Sequence, residues 1–336
     1  MRFSLACFFI AAQLLAPAGT PAKAEPRELV LVHSGAPGSL YEIGANEFAR
    51  RVNERLPEDY RISVISDPAL GDSPALVDAV RSGAAVFALP SSAMISVSDA
   101  FAVFELPYLI RNRAQVKTIR SALLENYLQP EAAKKGLRIL GIWENGFRQF
   151  TNDVRRIDRP ADLRGMRLAI PPNPWREKAL RAFGADPVPM ATRAVSDALR
   201  TGVVDGYEAP LTEISAQHLT DVQHRLSLSD HLYSPAFLIT SRTQFERLPM
   251  PIRAVIMSEA RAMEGWISTL AIDMESELVD QLDRDMEVTH VDTQAFRAAS
   301  RGVYGEFIRT VPGGAKMIEA LTDDLAHVSA NGAPTD

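Results

Sequence analysis

The stretch LVLVH at residues 29–33, with RISVI at 61–65 and AVFAL at 85–89, supplies three short apolar runs, and what lies between them decides the fold. Between the first two, residues 41–56 place Ile43, Phe48, Val52 and Leu56 at helical spacing before Pro57 stops the pattern. Between the second and third, residues 73–82 read as a helix with Ser73 as cap and Pro74 at its first position, ended by Gly83. The order is β-α-β-α-β. It predicts a parallel sheet with helices on both faces, and such sheets bind ligands at the carboxyl ends of their strands. The loops at residues 34–40 and 90–95 are therefore the first places to look for a site, which makes Ser34, Ser91 and Ser92 candidates.

The alternation resumes further on. After a helical stretch near 114–135, residues 137–143 (LRILGIW) read as a strand that continues at 149–151 beyond a kink, and 167–170 (RLAI) as another. Helices are expected at 175–183 and 196–201, a short strand within 202–207, and an extended segment at 231–241. A second α/β lobe is the simplest account. Residues 252–286 read as one helix long enough to cross from lobe to lobe, with a kink expected near Gly265.

The first 24 residues have a different character. Arg2 gives a positive start, residues 5–15 are almost uninterrupted apolar sequence, and Ala22-Lys23-Ala24 offers small residues around a break. The run is shorter than the roughly 20 residues that a spanning helix needs, so the pattern is that of a secretory signal peptide cleaved after Ala24, and the chain is expected in the periplasm. Residues 1–24 hold two of the 36 basic residues and none of the 42 acidic ones, so the mature chain carries 34 against 42, a net charge of −8. An acidic balance without a basic block excludes nucleic acid as a partner. Cys7, the only cysteine, leaves with the leader, which removes disulfides, thiol nucleophiles and cysteine metal ligands.

Enzyme signatures are missing from the sequence: there is no G-x-S-x-G, H-E-x-x-H, Walker loop or G-x-G-x-x-G. His218 and His224 lack a clear third metal ligand, and no metal or cofactor is expected. A secreted hydrolase would need two carboxylates at the cleft.

Five segments, in order, resemble the periplasmic solute-binding subunits of tripartite ATP-independent periplasmic (TRAP) transporters of the DctP type. They are FELPYLIRN (104–112), GIWENGFRQFTN (141–152), RPADLRGMRLAIPPN (159–173), FGADPVPM (183–190) and ALRTGVVDGYEAPL (198–211). The resemblance implies a two-lobed α/β periplasmic-binding-protein fold, with hinge strands between the lobes and a long helix spanning both. The corresponding division is 25–145 plus 234–272 for lobe I and 146–233 plus 273–330 for lobe II. It also implies closure over a small organic acid without turnover, and delivery to a small (DctQ-type) and a large (DctM-type) membrane subunit. A receptor for a non-carboxylate solute, or one serving a signalling partner, is the alternative.

The resemblance implies that Arg148, in GFRQFTN, grips the ligand carboxylate, and a guanidinium fork matches two carboxylate oxygens. Three other positions depart from the family. Ala169 stands where an arginine usually clamps the acid, Ala209 replaces a usual asparagine, and Tyr207 stands where glutamine is common. Two lost polar contacts imply a larger, less polar cleft and a bulky or aromatic monocarboxylate, with Tyr207 and Trp175 as candidate contacts. Arg167 and Arg176 are the arginines nearest the lost clamp, but an arginine near an element end is usually exposed, so a solvated surface place is the favoured reading of both; His231 and Tyr233 lie where the chain is expected to recross the hinge.

Overall fold

A computed structural model describes residues 26–67, 70–71 and 73–331; the expected leader lies outside the described residues. The opening β-α-β-α-β unit is present. β1 (Arg27–His33) pairs in parallel with β2 (Tyr60–Ser66) on one side and β3 (Phe87–Ala88) on the other. The helix Leu40–Asn53 joins the first two and buries Leu40, Phe48 and Val52, the face its periodicity predicts. Its start is fixed by Ser39 Oγ, which accepts from Glu42 N, while Glu42 Oε2 accepts from Gly38 N at 2.7 Å. The next helix, Pro74–Ser82, has Ser73 at the cap position without a capping side-chain bond, so Pro74 sets its start.

The two strand pieces expected around residue 146 are one 16-residue strand, β4 (Leu137–Asn152). Also present are β5 (Arg167–Ile170), β6 (Asp186–Pro189), β7 (Gly206–Pro210), β8 (Arg225–Leu228), β9 (Tyr233–Ser241) and β10 (Glu287–His290). The first part of β4 pairs antiparallel with β9, and β9 with β3; the second part pairs antiparallel with β7 and β8. β5 lies parallel between β6 and β7, and β10 lies parallel to β8. The order β2-β1-β3-β9-β4-β7-β5-β6 therefore runs through β4 from one parallel unit to the other. The register slips between Glu144 and Phe147, where Gly146 takes a φ of 103° that a side chain would resist. This bulge marks the crossing between lobes.

The long helix runs unbroken through Gly265 as Met250–Leu282. Its Ile256, Met263 and Ile267 pack with Phe48 and Trp143, whereas Leu278 and Leu282 pack with Ile214 and Leu226. One helix thus belongs to both cores. Each such buried side chain contributes on the order of 1.5–3 kcal/mol, and the Trp143 indole adds a hydrogen bond from Nε1 to Ala260 O at 3.0 Å.

The helix expected near 114–135 is broken into Arg113–Val116, a π-type turn at Arg120–Leu128 and Gln129–Lys134. Pro130, which has no N–H for the regular ladder, stands at the start of the last segment and accounts for its junction with the π-type turn. Among the described residues no helix is long and apolar enough to cross a membrane.

Candidate ligand-binding cleft

The carboxyl ends of the parallel strands from both lobes converge on one cleft. From the first lobe come Ser34 and Gly35 after β1, Tyr41 on the helix Leu40–Asn53 that follows them, and Ser91 after β3. Gly35 is required there, because a Cβ would lie 2.4 Å from both Ser39 Oγ and Tyr41 Cβ. The facing lobe supplies Pro171 after β5, Thr192 after β6, Tyr207 on β7 and Glu213 on the helix Leu211–Ala216. Asn145 and Arg148 reach in from β4. The open space is small, about 30 Å³. Its walls are hydroxyls, an amide, a guanidinium and a carboxylate, with few apolar groups.

Arg148 is 4% exposed and anchored from behind. Its Nε donates to Glu208 Oε1, Nη2 donates to the Glu208 carbonyl at 2.5 Å, and Nη1 reaches Ser234 Oγ at 3.4 Å. Register explains the pairing: Arg148 and Phe150 of β4 oppose Pro210 and Glu208 of β7, so arginine and glutamate share a face. A guanidinium has more donors than these, which leaves one N–H on each terminal nitrogen.

Glu208 is fully buried and is also met by Arg176 Nη1 at 3.8 Å and His231 Nε2 at 3.2 Å. Burial pushes its carboxyl up, but Arg148, then Arg176 and His231, outweigh burial and hold it well below the usual carboxylate range. Burial lowers the His231 imidazole despite Glu208, so the ring stays neutral at physiological pH. It stacks on Phe150 with centroids 4.2 Å apart, and its Nδ1 meets Ser229 Oγ at 2.8 Å. Burial raises the Tyr207 phenol far above its ordinary value, so its hydroxyl remains a donor.

Of the candidates drawn from sequence, Ser34, Ser91, Arg148 and Tyr207 line this cleft. The others are placed elsewhere. Arg176 does not face the cleft: Asn173 caps its helix, and the guanidinium forms a two-pronged pair with Glu105, at 2.9 and 2.8 Å, to which Asn173 Nδ2 also donates. Trp175 packs edge-on to Phe307 at 5.5 Å in the core, its Nε1 donating to Asp99 Oδ1 at 3.3 Å. His231 is consumed by the Glu208 cluster, and Tyr233 lies against Phe147 at 5.3 Å, on the wall of a different cavity. Ser92 opens the short 3-10 turn Ser92–Ser96. Arg167 is a surface residue paired with Asp205 at 2.6 Å.

Ala169 and Ala209 are fully buried in one apolar cluster with Tyr207, Val195 and Ile214. Their methyls therefore do not widen the cleft as the sequence suggests, because the bulk of Tyr207 and its neighbours fills that space. Trp175 gives the cleft no aromatic wall either, since it lies in an apolar core with Phe147. Asn145, Thr192 and Glu213 were not singled out from sequence. Of the three, only Asn145, just beyond the strand read at 137–143, carried a signal.

A cleft walled by strand ends of two lobes, with a pre-anchored arginine and a strand bulge at the crossing, defines a two-lobed solute receptor. Residues 31–310 match the family described as "Bacterial extracellular solute-binding protein, family 7" (DctP), and the chain belongs to that family, whose members bind without turnover. It is 27% identical over 285 residues to the 2,3-diketo-L-gulonate-binding periplasmic protein YiaO of Escherichia coli (strain K12), covering 84% of this chain and 87% of that protein. It is 30% identical over 241 residues to the C4-dicarboxylate-binding periplasmic protein DctP of Rhodobacter capsulatus, covering 69% and 70%. Among solved structures, a TRAP periplasmic solute binding protein from Polaromonas sp. JS666 bound to D-erythronate superimposes with a TM-score of 0.82 at 28% identity, covering 88% of this chain and 97% of that one.

Proposed function

We propose that this chain is the extracytoplasmic receptor of a TRAP-type secondary transporter, and that it closes over a compact, hydroxylated organic acid held by Arg148. The observation that carries this reading is Arg148 itself, fixed by Glu208 and lining a cleft with donors to spare. A preset fork loses little freedom when a carboxylate arrives, which favours binding. The serine, threonine, tyrosine and asparagine groups around it suit hydroxyls, and they favour such an acid over the bulky aromatic one that Ala169 and Ala209 suggest in the sequence. Relatives named for a diketogulonate and for C4-dicarboxylates support an acid as the cargo.

Export with cleavage after Ala24, and delivery to one small and one large membrane subunit, complete the reading. The lobes divide as residues 25–145 plus 234–272 and 146–233 plus 273–330. The pairing of β1–β3 with β9, and the change of core partners along the long helix, support this division. Val303, Phe307 and Met317 of the carboxyl-terminal helices pack back against the cluster that holds Val32 and Phe101, so these helices strap the lobes together.

A thermal-shift screen of the mature chain tests the cargo, with aldonic acids, C4-dicarboxylates, aromatic acids and uncharged polyols, since ligand raises the melting temperature as its excess grows. Aldonates or dicarboxylates are expected to give the largest shifts. Stabilisation by aromatic acids or polyols alone contradicts the reading.

A further inference from the structure

A second cavity, of about 400 Å³, lies beside β4 and the long helix and shares no residue with the cleft. Ile119, Ile142 and Ile272 give it apolar walls, and Tyr233, Glu144 and Ser268 its polar side. Glu144 is 3% exposed. Its Oε1 is held by Arg113, with Nε at 2.9 Å and Nη2 at 2.8 Å, while Oε2 has no hydrogen-bond partner among the described residues. The Ser268 hydroxyl is the neighbour that favours ionised Glu144, and beyond that poorly directed contact neither Ser268 Oγ nor Glu144 Oε2 has a partner among the described residues.

Buried polar atoms are ordinarily satisfied, so two orphans on one cavity wall point to a ligand group outside the chain. One water occupies about 30 Å³, and a cavity of about 400 Å³ with isoleucine walls has the size and character of a small-molecule site. The charges along it are mostly spent. Arg120 is locked to Glu264, with Nε to Oε2 at 2.9 Å, and Glu264 Oε1 also accepts from Ile142 N at 2.9 Å. Lys117 is exposed at the rim.

We propose that this cavity is a second ligand site, taking a small uncharged molecule that is mostly apolar and carries one hydroxyl donor for Glu144 Oε2. An anion is disfavoured because its oxygens would face that unpartnered carboxylate oxygen. The site does not depend on what the cleft binds. Gly265 offers a plug: it lines the cavity, and a Cβ there meets nothing within 4 Å.

The test is calorimetric titration of the chain with 4-propylphenol and 4-propylbenzoate. The phenol is expected to bind saturably with one site and the benzoate about tenfold more weakly or not at all. Gly265→Leu is expected to weaken phenol binding by about tenfold or more while its melting temperature holds, and Ser268→Ala to weaken it several-fold. Should Gly265→Leu fail to fold, Ser268→Ala and a crystal soaked with the phenol decide the matter. Absence of saturable phenol binding, benzoate binding of equal strength, or phenol binding untouched by the variants overturns the proposal.

Discussion

Two ionic clusters flank the crossing of β4, one balanced in charge and one with an excess of acid. At the cleft, Arg148 is matched with Glu208 and Arg176 with Glu105, and the net effect is to hold the Glu208 carboxyl well below its usual range. At the bulge, one cation serves two acids: Arg113 sits 2.8 Å from Glu144 and 2.7 Å from Glu275. Burial outweighs Arg113 there, raises Glu144, and pushes Glu275 up to about 7. The first cluster is settled in its charge and can serve as a rigid mount for a ligand-facing arginine. Both leave a buried carboxylate oxygen without a hydrogen bond, Glu208 Oε2 in the first and Glu144 Oε2 in the second, but only the second retains proton affinity, which makes it responsive to pH.

The largest expected effect comes from breaking the balanced cluster. Glu208→Gln leaves Arg148 facing a neutral amide while Arg176 keeps Glu105, and a loss of about 3–5 kcal/mol follows from an unpaired buried charge. Urea unfolding measures it, and a loss below about 1 kcal/mol would show that the cluster is hydrated instead. Arg148→Ala is expected to destabilise in the same way, because Glu208 loses its closest partner.

Next in size is Ala169→Arg. With the alanine fully buried beside Tyr207, overpacking is expected to cost about 1–3 kcal/mol before any charge is counted. Pairing it with Tyr207→Gln should recover part of that loss and widen the range of acids bound. If the single variant is as stable as the parent, the packing described for that face is wrong.

The unbalanced cluster gives a pH signature. An acid whose folded pKa lies above its unfolded value contributes stability that is full below about 4.5 and is lost as pH rises through about 7. Glu275→Gln has no such loss. Its stability relative to the parent is expected to improve between pH 4.5 and pH 8 by on the order of 2 kcal/mol. A pH-independent difference between the two would break the contrast between the clusters. The smallest effect is that of Arg167→Ala, a surface pair with Asp205, expected to cost under about 1 kcal/mol and to leave ligand binding unchanged in the same titrations.

The parallel unit of the first lobe was legible because each strand and helix carries its own period and its own stop, at Pro57 and Gly83. Arg148 was legible from its motif. What it leans on was not, since Glu208 is sixty residues away and its role depends on β4–β7 register. Arg176 shows the same limit more sharply. Nothing near it names Glu105, seventy-one residues earlier, yet that pairing turns it away from the cleft. The two alanines misled for a related reason: a sequence shows the side chain that is missing but not the neighbour that fills its place.

Calorimetric titration of a hydroxylated acid, D-erythronate first and other aldonates beside it, into the parent chain and Arg148→Lys tests the central claim most directly. Lysine keeps a charge for Glu208 but loses the fork, so the fold should hold while affinity for the acid falls by about 1.5–3 kcal/mol, the value of a charge-assisted bond. An acid bound equally well by both proteins, or a matching uncharged polyol bound as tightly as the acid, would contradict the account.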